Sequence, residues 1–101
     1  MQNITVRTAT AADLSSLNRL AALDSASPPR GPTLVAEADS RMLAALPLGS
    51  GRPIADPFEP TVEIVALLQL RAEQLRADDG RRSRFERLRS LVRARPSHAR
   101  A

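Results

Sequence analysis

The sequence predicts an α+β fold, in which a small mixed sheet of about four short strands carries two or three helices. Three observations predict it. Short strand-like stretches lie at residues 4–7, 33–38, 41–46 and 53–55, separated by turn-forming residues. Apolar residues at helical spacing fill the longer stretches around them. The 101 residues suffice for one small domain, and only two are aromatic, so its core must consist mainly of Ala, Leu and Val.

The first strand and the first helix are predicted from local signals. Residues 4–7 (ITVR) alternate and are β-branched, which is typical of a strand. Thr10 is the expected N-cap of the following helix, and Asp13 can reach back to it in a short capping box. Leucines at helical spacing extend this helix from about residue 11 to residue 23. The segment SASPPRGP at residues 25–32 then forms an irregular connector.

An antiparallel meander is predicted next. Residues 33–38 (TLVAEA) form a strand, Asp39 and Ser40 form a hairpin turn, and residues 41–46 form the return strand. Gly49, Ser50 and Gly51 favour a second turn rather than a phosphate-binding loop, since the spacing and the lysine of that loop are missing. Residues 53–55 then form a third short strand, with Pro53 at its start.

The strongest helical pattern begins after Thr61, a plausible N-cap. We expect this helix to end at Asp78-Asp79-Gly80, and we interpret the two aspartates as a helix terminus rather than as metal ligands. The width of its apolar face predicts burial against the sheet, with a second chain as a further candidate for the same face. The apolar face consists of Val62, Val65, Leu68 and Ala72, widened by Ile64, Leu67 and Leu75.

A separate last helix is predicted from about Arg81 to Arg95, ending before Pro96 and followed by a flexible tail. Phe85 is expected to face inward. The apolar seam of this helix comprises Phe85, Leu88, Leu91 and Val92. We therefore divide the chain into an α+β domain at residues 1–79 and a basic amphipathic helix with its tail at residues 80–101.

The charge of the chain is uneven. All fifteen basic residues are arginine; five arginines and seven acids lie in residues 1–70, and ten arginines and four acids lie in residues 71–101. This asymmetry predicts an acidic partner, such as a nucleic-acid phosphate backbone, an acidic protein or an anionic lipid surface. The alternative is a solvated basic helix without a ligand. The predicted partner-binding residues are Arg81, Arg82, Arg84, Arg87, Arg89, Arg93 and Arg95.

Composition excludes several classes of function. Without cysteine the chain has no disulfide, thiolate zinc site or cysteine nucleophile, and one histidine is too few for a histidine-based metal site. The longest apolar stretch, residues 64–68, is far short of the roughly 18–20 residues that span a bilayer. The first residues show no secretory signal, so we expect a cytoplasmic protein without a metal.

Four stretches together resemble the front part of the GNAT acetyltransferase fold. Residues 4–14 (ITVRTATAADL) resemble its first strand and helix entry, and residues 33–45 (TLVAEADSRMLAA) resemble its second and third strands. Residues 54–57 (IADP) are similar to the end of its fourth strand, and residues 62–75 are similar to the helix that follows. The resemblance covers about residues 2–76. It implies a β-α-β-β-β-α order and, in the enzymes of the family, acetyl-CoA as the cofactor.

The chain departs from the family pattern where the cofactor's pyrophosphate is bound. The family has a glycine-containing turn at this helix N-terminus, because glycines let the backbone amides approach the phosphates. Here Glu63 and Val65 occupy the two glycine positions. Pro60 lacks an amide donor, and Thr61 lies between Pro60 and Glu63. The family's later strands have no counterpart. The chain also has no tyrosine for a general acid, and we interpret the strand residue Glu37 as solvated rather than as a catalytic base.

These departures predict a truncated, degenerate GNAT-like domain without catalytic or cofactor-binding residues. The expected function is a non-catalytic binding module that holds an acidic partner through the last helix. A homodimer that covers the apolar helix or an open sheet edge is also expected. The alternative is an acetyl-CoA-dependent N-acyltransferase, acting alone or completed by a partner chain.

Overall fold

The computed structural model describes residues 3–49 and 51–99, with side chains up to Leu91. Four strands form one sheet in the order β1-β2-β3-β4, and every pairing in it is antiparallel. The α+β class and the four strands are confirmed, whereas the expected mixed sheet is an all-antiparallel meander, because each strand turns back beside the one before it. The strands are β1 (Thr5–Thr8), β2 (Thr33–Ala38), β3 (Arg41–Pro47) and β4 (Ile54–Ala55).

The hairpin between β2 and β3 turns on Asp39 and Ser40, as predicted. Both residues have positive φ, 52° and 64°, which is the pattern of a type I′ turn. The register shifts after Ala36, so that Leu43 is the extra residue of a bulge. Its carbonyl accepts a hydrogen bond from the Asp56 amide at 2.9 Å, just beyond the short strand β4.

The first helix, α1 (Leu14–Leu23), follows a 3-10 turn at Ala11–Asp13. The capping interaction predicted for Asp13 is present, since its Oδ2 accepts hydrogen bonds from the Thr10 amide at 2.6 Å and from the Thr10 hydroxyl at 3.2 Å. α1 covers one face of the sheet. The core on this face consists of Leu17, Leu20, Ala21, Val35, Met42, Ala45 and Ile54.

The second helix, α2 (Val62–Ala99), covers the other face. Leu68 and Ala72 are fully buried there, against alternate residues of β2 and β3. The predicted apolar face is too wide, since Val62 is 84% exposed and Leu67 is 42% exposed. The fully buried residues of α2 thus form a narrow line, and the rest of its apolar surface faces solvent.

One continuous helix replaces the two helices that the sequence predicts. α2 passes through Asp78, Asp79 and Gly80 without a break and extends past Pro96 to Ala99. The predictions that one helix ends at Asp78-Asp79-Gly80 and that another ends before Pro96 are wrong. A glycine inside a helix costs only about 1 kcal/mol relative to alanine, and the alanine, leucine and arginine residues on both sides favour the helix. The tail expected after Pro96 is helical to Ala99, and its last two residues lie outside the described part.

Candidate functional site

α2 leaves the sheet at Arg76. Leu75 is the last residue that packs on the core of the sheet, and Arg76 donates hydrogen bonds to the Leu48 carbonyl at 3.1 Å from Nη2 and 3.4 Å from Nε. Beyond this point each described side chain is exposed. We call residues 77–99 the arm, and the part of the structure at residues 3–76 the body.

The arm extends away from the body rather than folding onto it. The radius of gyration is 18.8 Å and the longest dimension is 66 Å, whereas a compact domain of this length has a radius of gyration of about 13 Å. Phe85 is 60% exposed, so the prediction that it faces inward is wrong. Within the described residues, Phe85 belongs to neither core cluster of the body.

The predicted arginines come together on the arm. Arg82 and Arg89 are seven residues apart and share one side of the helix, while Arg84 and Arg87 share another side. Arg81 forms an ion pair with Asp78, one turn earlier. The backbone of the last two predicted arginines, Arg93 and Arg95, is helical, and their side chains lie outside the described part.

Arginine also covers the single aromatic ring of the arm. The Arg89 guanidinium carbon lies 5.0 Å from the centre of the Phe85 ring, which is within cation–π distance. This contact occupies one face of the ring. The arm therefore presents positive charge along its length and little aromatic surface on which a nucleobase could stack.

The residues at the N-terminus of α2 do not form an open cradle. The Val65 amide already donates to the Thr61 carbonyl at 2.8 Å, and the Val65 side chain packs against the core under α2. Glu63 is exposed in the first turn, where its carboxylate complements the positive end of the helix dipole. Pro60, which precedes Thr61, has no amide to donate. These four residues begin a helix, and they do not fit a pyrophosphate, because Glu63 adds a negative charge, Val65 adds a branched side chain where a glycine would let the phosphates approach, and Pro60 has no amide.

An ion-pair cluster that the sequence did not predict joins β1, β2 and the start of α1. The Arg7 guanidinium donates to both carboxylate oxygens of Asp13 at 2.8 Å, and its Nε donates to Glu37 at 3.0 Å. The hydrogen bonds from Arg7, followed by the one from the Thr10 amide, hold the pKa of Asp13 well below its usual range. Glu37 is thus half-buried in an ion pair, which corrects its interpretation as a solvated side chain.

A second cluster fixes the chain between β4 and α2. Asp56 is fully buried, and its Oδ2 accepts a hydrogen bond from Arg41 at 3.0 Å. Its Oδ1 accepts a hydrogen bond from the Phe58 amide at 2.9 Å, which holds a turn at this aspartate. Arg41 also reaches Glu59 at 3.4 Å. Every carboxylate in the two clusters has an arginine partner, so these groups stabilise the body.

A cleft of about 940 Å³ lies between the connector after α1 and the turn before β4. Prolines and glycines form much of its wall. Asp24 lines the cleft, and the Oδ2 atom of Asp24 already accepts a hydrogen bond from the Ala55 amide at 3.1 Å.

Among the residues that the structure describes, no three histidine, cysteine or acidic side chains come together as metal ligands. Within the same residues, no helix has the length and apolar character needed to cross a membrane.

The candidate site is therefore the arm, because it carries the concentration of charge that the clusters of the body lack. Comparisons of the chain with protein-family models, with curated proteins and with solved structures gave no match.

Proposed function

We propose that this chain is a non-catalytic binding module, in which a small α+β body presents an Arg-rich helical arm that binds an acidic partner. Nucleic-acid phosphate is the partner that the observations favour. The single observation that carries the proposal is the arm itself, a helix that continues beyond the sheet with its described side chains in solvent.

The distribution of the arginines favours a phosphate backbone over a base-specific site. The segment 81–95 contains seven arginines and one glutamate. The described arginines lie on several sides of the helix, which suits a polymer that carries charge along its whole length. Phe85 is engaged by Arg89, so base stacking adds little. We expect an affinity that depends on the charge of the nucleic acid and not on its base sequence.

The body supports a non-catalytic role. A GNAT-type transfer would need the acetyl-CoA pyrophosphate at the N-terminus of α2, where Glu63 and Val65 replace the glycines and Pro60 has no amide. A calorimetric titration with acetyl-CoA tests this part separately. We expect no saturable heat, and saturable micromolar binding would favour the acyltransferase alternative.

Fluorescence anisotropy with mixed-sequence RNA and duplex DNA, at low and physiological salt, tests the binding role. We expect the intact chain to bind with a steep salt dependence. Replacing Arg82, Arg84 and Arg87 by glutamine should weaken binding at least tenfold at physiological salt. It should also lower the salt slope on duplex DNA by up to about 3, because each arginine that neutralises a phosphate contributes about 0.9 to that slope.

The matched control replaces three exposed arginines of the body, Arg30, Arg52 and Arg71, by glutamine, so that the change in net charge is the same. This variant should keep the larger part of the affinity. Equal losses in both variants would show that net charge alone attracts the polymer. If the intact chain bound neither RNA nor DNA at low salt, an acidic protein surface would replace nucleic acid as the partner, with polyglutamate as the first probe.

A further inference from the structure

A second line of positions, with leucines at both of its ends, runs along α2 on the side turned away from the sheet. Leu67 and Leu70 are 42% and 52% exposed in the body, and Leu88 and Leu91 are 63% and 67% exposed in the arm. The positions along this line follow one another at alternating intervals of three and four residues, which is the heptad repeat of paired helices. We call this line the outer stripe; it consists of Leu67, Leu70, Gln74, Ala77, Arg81, Arg84, Leu88 and Leu91.

The leucines of the outer stripe are placed symmetrically about Asp79. Leu67 and Leu91 each lie twelve residues from it, and Leu70 and Leu88 each lie nine residues from it. A second copy of α2 that runs antiparallel therefore brings Leu67 against Leu91 of the other copy, and Leu70 against Leu88. Two leucine clusters form in this way, one at each end of the pair, and the polar positions lie between them.

Charge along α2 favours the same arrangement. Residues 62–79 contain four acids and two arginines, whereas residues 80–99 contain seven arginines and one glutamate. Antiparallel pairing lays the basic half of one copy along the acidic half of the other, and parallel pairing sets the two basic halves side by side. In the antiparallel register Glu73 lies beside Arg87 of the other copy, and neither side chain makes an ion pair within the described residues.

The shape of the chain leaves room for this pairing. Leu68 and Ala72 hold the opposite side of α2 on the sheet, so the outer stripe of the body faces outward. The segment from Leu67 to Leu91 is about 36 Å long at 1.5 Å per residue, and the arm half of it extends beyond the sheet. Each arm can thus lie along the body half of the other α2, with the two bodies at opposite ends.

We propose that two copies of this chain form an antiparallel helical dimer through the outer stripe of α2. The proposal goes beyond the binding of nucleic acid and does not rest on it, because the leucines of the stripe carry the dimer. Among the arginines of the arm, Arg81 and Arg84 lie on the stripe, while Arg82 and Arg89 lie beside it. The dimer carries the two arms to opposite ends of one elongated particle, which would give a phosphate polymer two basic surfaces.

Sedimentation equilibrium of the intact chain over a concentration series is the first test, and we expect a monomer–dimer equilibrium. Leu70→Glu should raise the dimer dissociation constant at least about tenfold, because the symmetric pair loses this leucine contact twice. Leu14→Glu is the matched control, since Leu14 is 62% exposed on α1 and lies off the stripe. It should leave the dissociation constant unchanged.

Charge reversal tests the register without removing an apolar residue. Glu73→Arg alone should weaken the dimer, and adding Arg87→Glu should restore it.

A spin label on Ser90→Cys tests the direction in which the two helices run, because the chain has no other cysteine. Antiparallel pairing separates the two labels by about 33 Å along the helix axis, while parallel pairing keeps them within about 20 Å. A monomer at the highest soluble concentration, a failure of the double reversal to restore the dimer, or the shorter label distance would overturn the proposal.

Discussion

The body and the arm share one helix and have opposite surroundings. In the body, Leu68 is fully buried under β2 and β3, and each cluster of charged groups pairs its carboxylates with arginine. In the arm, Leu88 is 63% exposed, and most of the described charged side chains make no ion pair. One helix can thus stabilise a fold at one end and present a charged surface at the other, because only the first half has a sheet to pack on.

Leu68 in the body and Leu88 in the arm provide the largest expected difference in the free energy of unfolding. Leu68→Ala removes a fully buried side chain and should lower the free energy of unfolding by about 2–5 kcal/mol. Leu88→Ala should change it by less than about 0.5 kcal/mol, because this leucine lies in solvent in the monomer. Urea unfolding at low micromolar concentration, where self-association contributes least, measures both values. Similar losses in the two variants would mean that the arm folds back onto the body.

Acid should weaken the body through Asp13. Its pKa is lowered in the folded state by Arg7, so the unfolded chain takes up the proton first, at an ordinary pKa of about 3.9. The stabilisation is therefore present above about pH 4 and is lost as the pH falls below that value. Asp13→Asn should be less stable than the natural chain at pH 7, and the difference should shrink toward pH 2. Thermal unfolding across this range measures it, and a constant difference would contradict the role of the carboxylate.

Gly80 offers a smaller and more local test at the start of the arm. An added Cβ would meet nothing within 4 Å, so Gly80→Ala should favour the helix by up to about 1 kcal/mol. Amide exchange in the arm should slow, while exchange in β2 and β3 stays unchanged. Gly80→Pro should have the opposite effect on the arm, because proline breaks an interior helix. A change in the exchange of the sheet amides in either variant would show that arm and body are coupled.

The hairpin turn should give the smallest effect. Ser40 has a φ of 64°, a conformation that glycine adopts without strain. Ser40→Gly should therefore change the stability of the body by no more than about 1 kcal/mol, and the expected sign is stabilising. Thermal unfolding of the variant measures the change. A loss above this value would mean that the Ser40 side chain has a role beyond the turn.

Local signals in the sequence were sufficient for most of the body. β-branched alternation located β1, the turn residues located the other strands, and the capping pattern at Thr10 located the start of α1, because these features depend on neighbouring residues. The ion pairs of Arg7 were not predictable from spacing, since Glu37 lies thirty residues away and reaches it only through strand pairing. The continuity of α2 was missed because Asp78-Asp79-Gly80 is typical of a helix end, and helix propensity on both sides outweighs it.

The predicted arginines of the arm were located by composition alone, and their partner was not. Charge density is visible in a sequence, but it is equally typical of a solvated helix. The structure adds that the helix carrying these residues projects from the sheet, and exposure of this kind depends on where the strands end. The symmetry of the outer stripe depends on the continuity of α2 through Gly80, which the sequence does not indicate.

Amide chemical-shift mapping of the intact chain during titration with a short mixed-sequence DNA duplex tests the central claim most directly. If the arm binds the phosphate backbone, the perturbed amides lie in the arm and their shifts reverse when salt is added. The amides of β1 to β4 and of residues 60–65 should not move. Perturbation centred on residues 60–65 or on the proline-lined cleft, with the arm unchanged, would place the binding site in the body and exclude the arm.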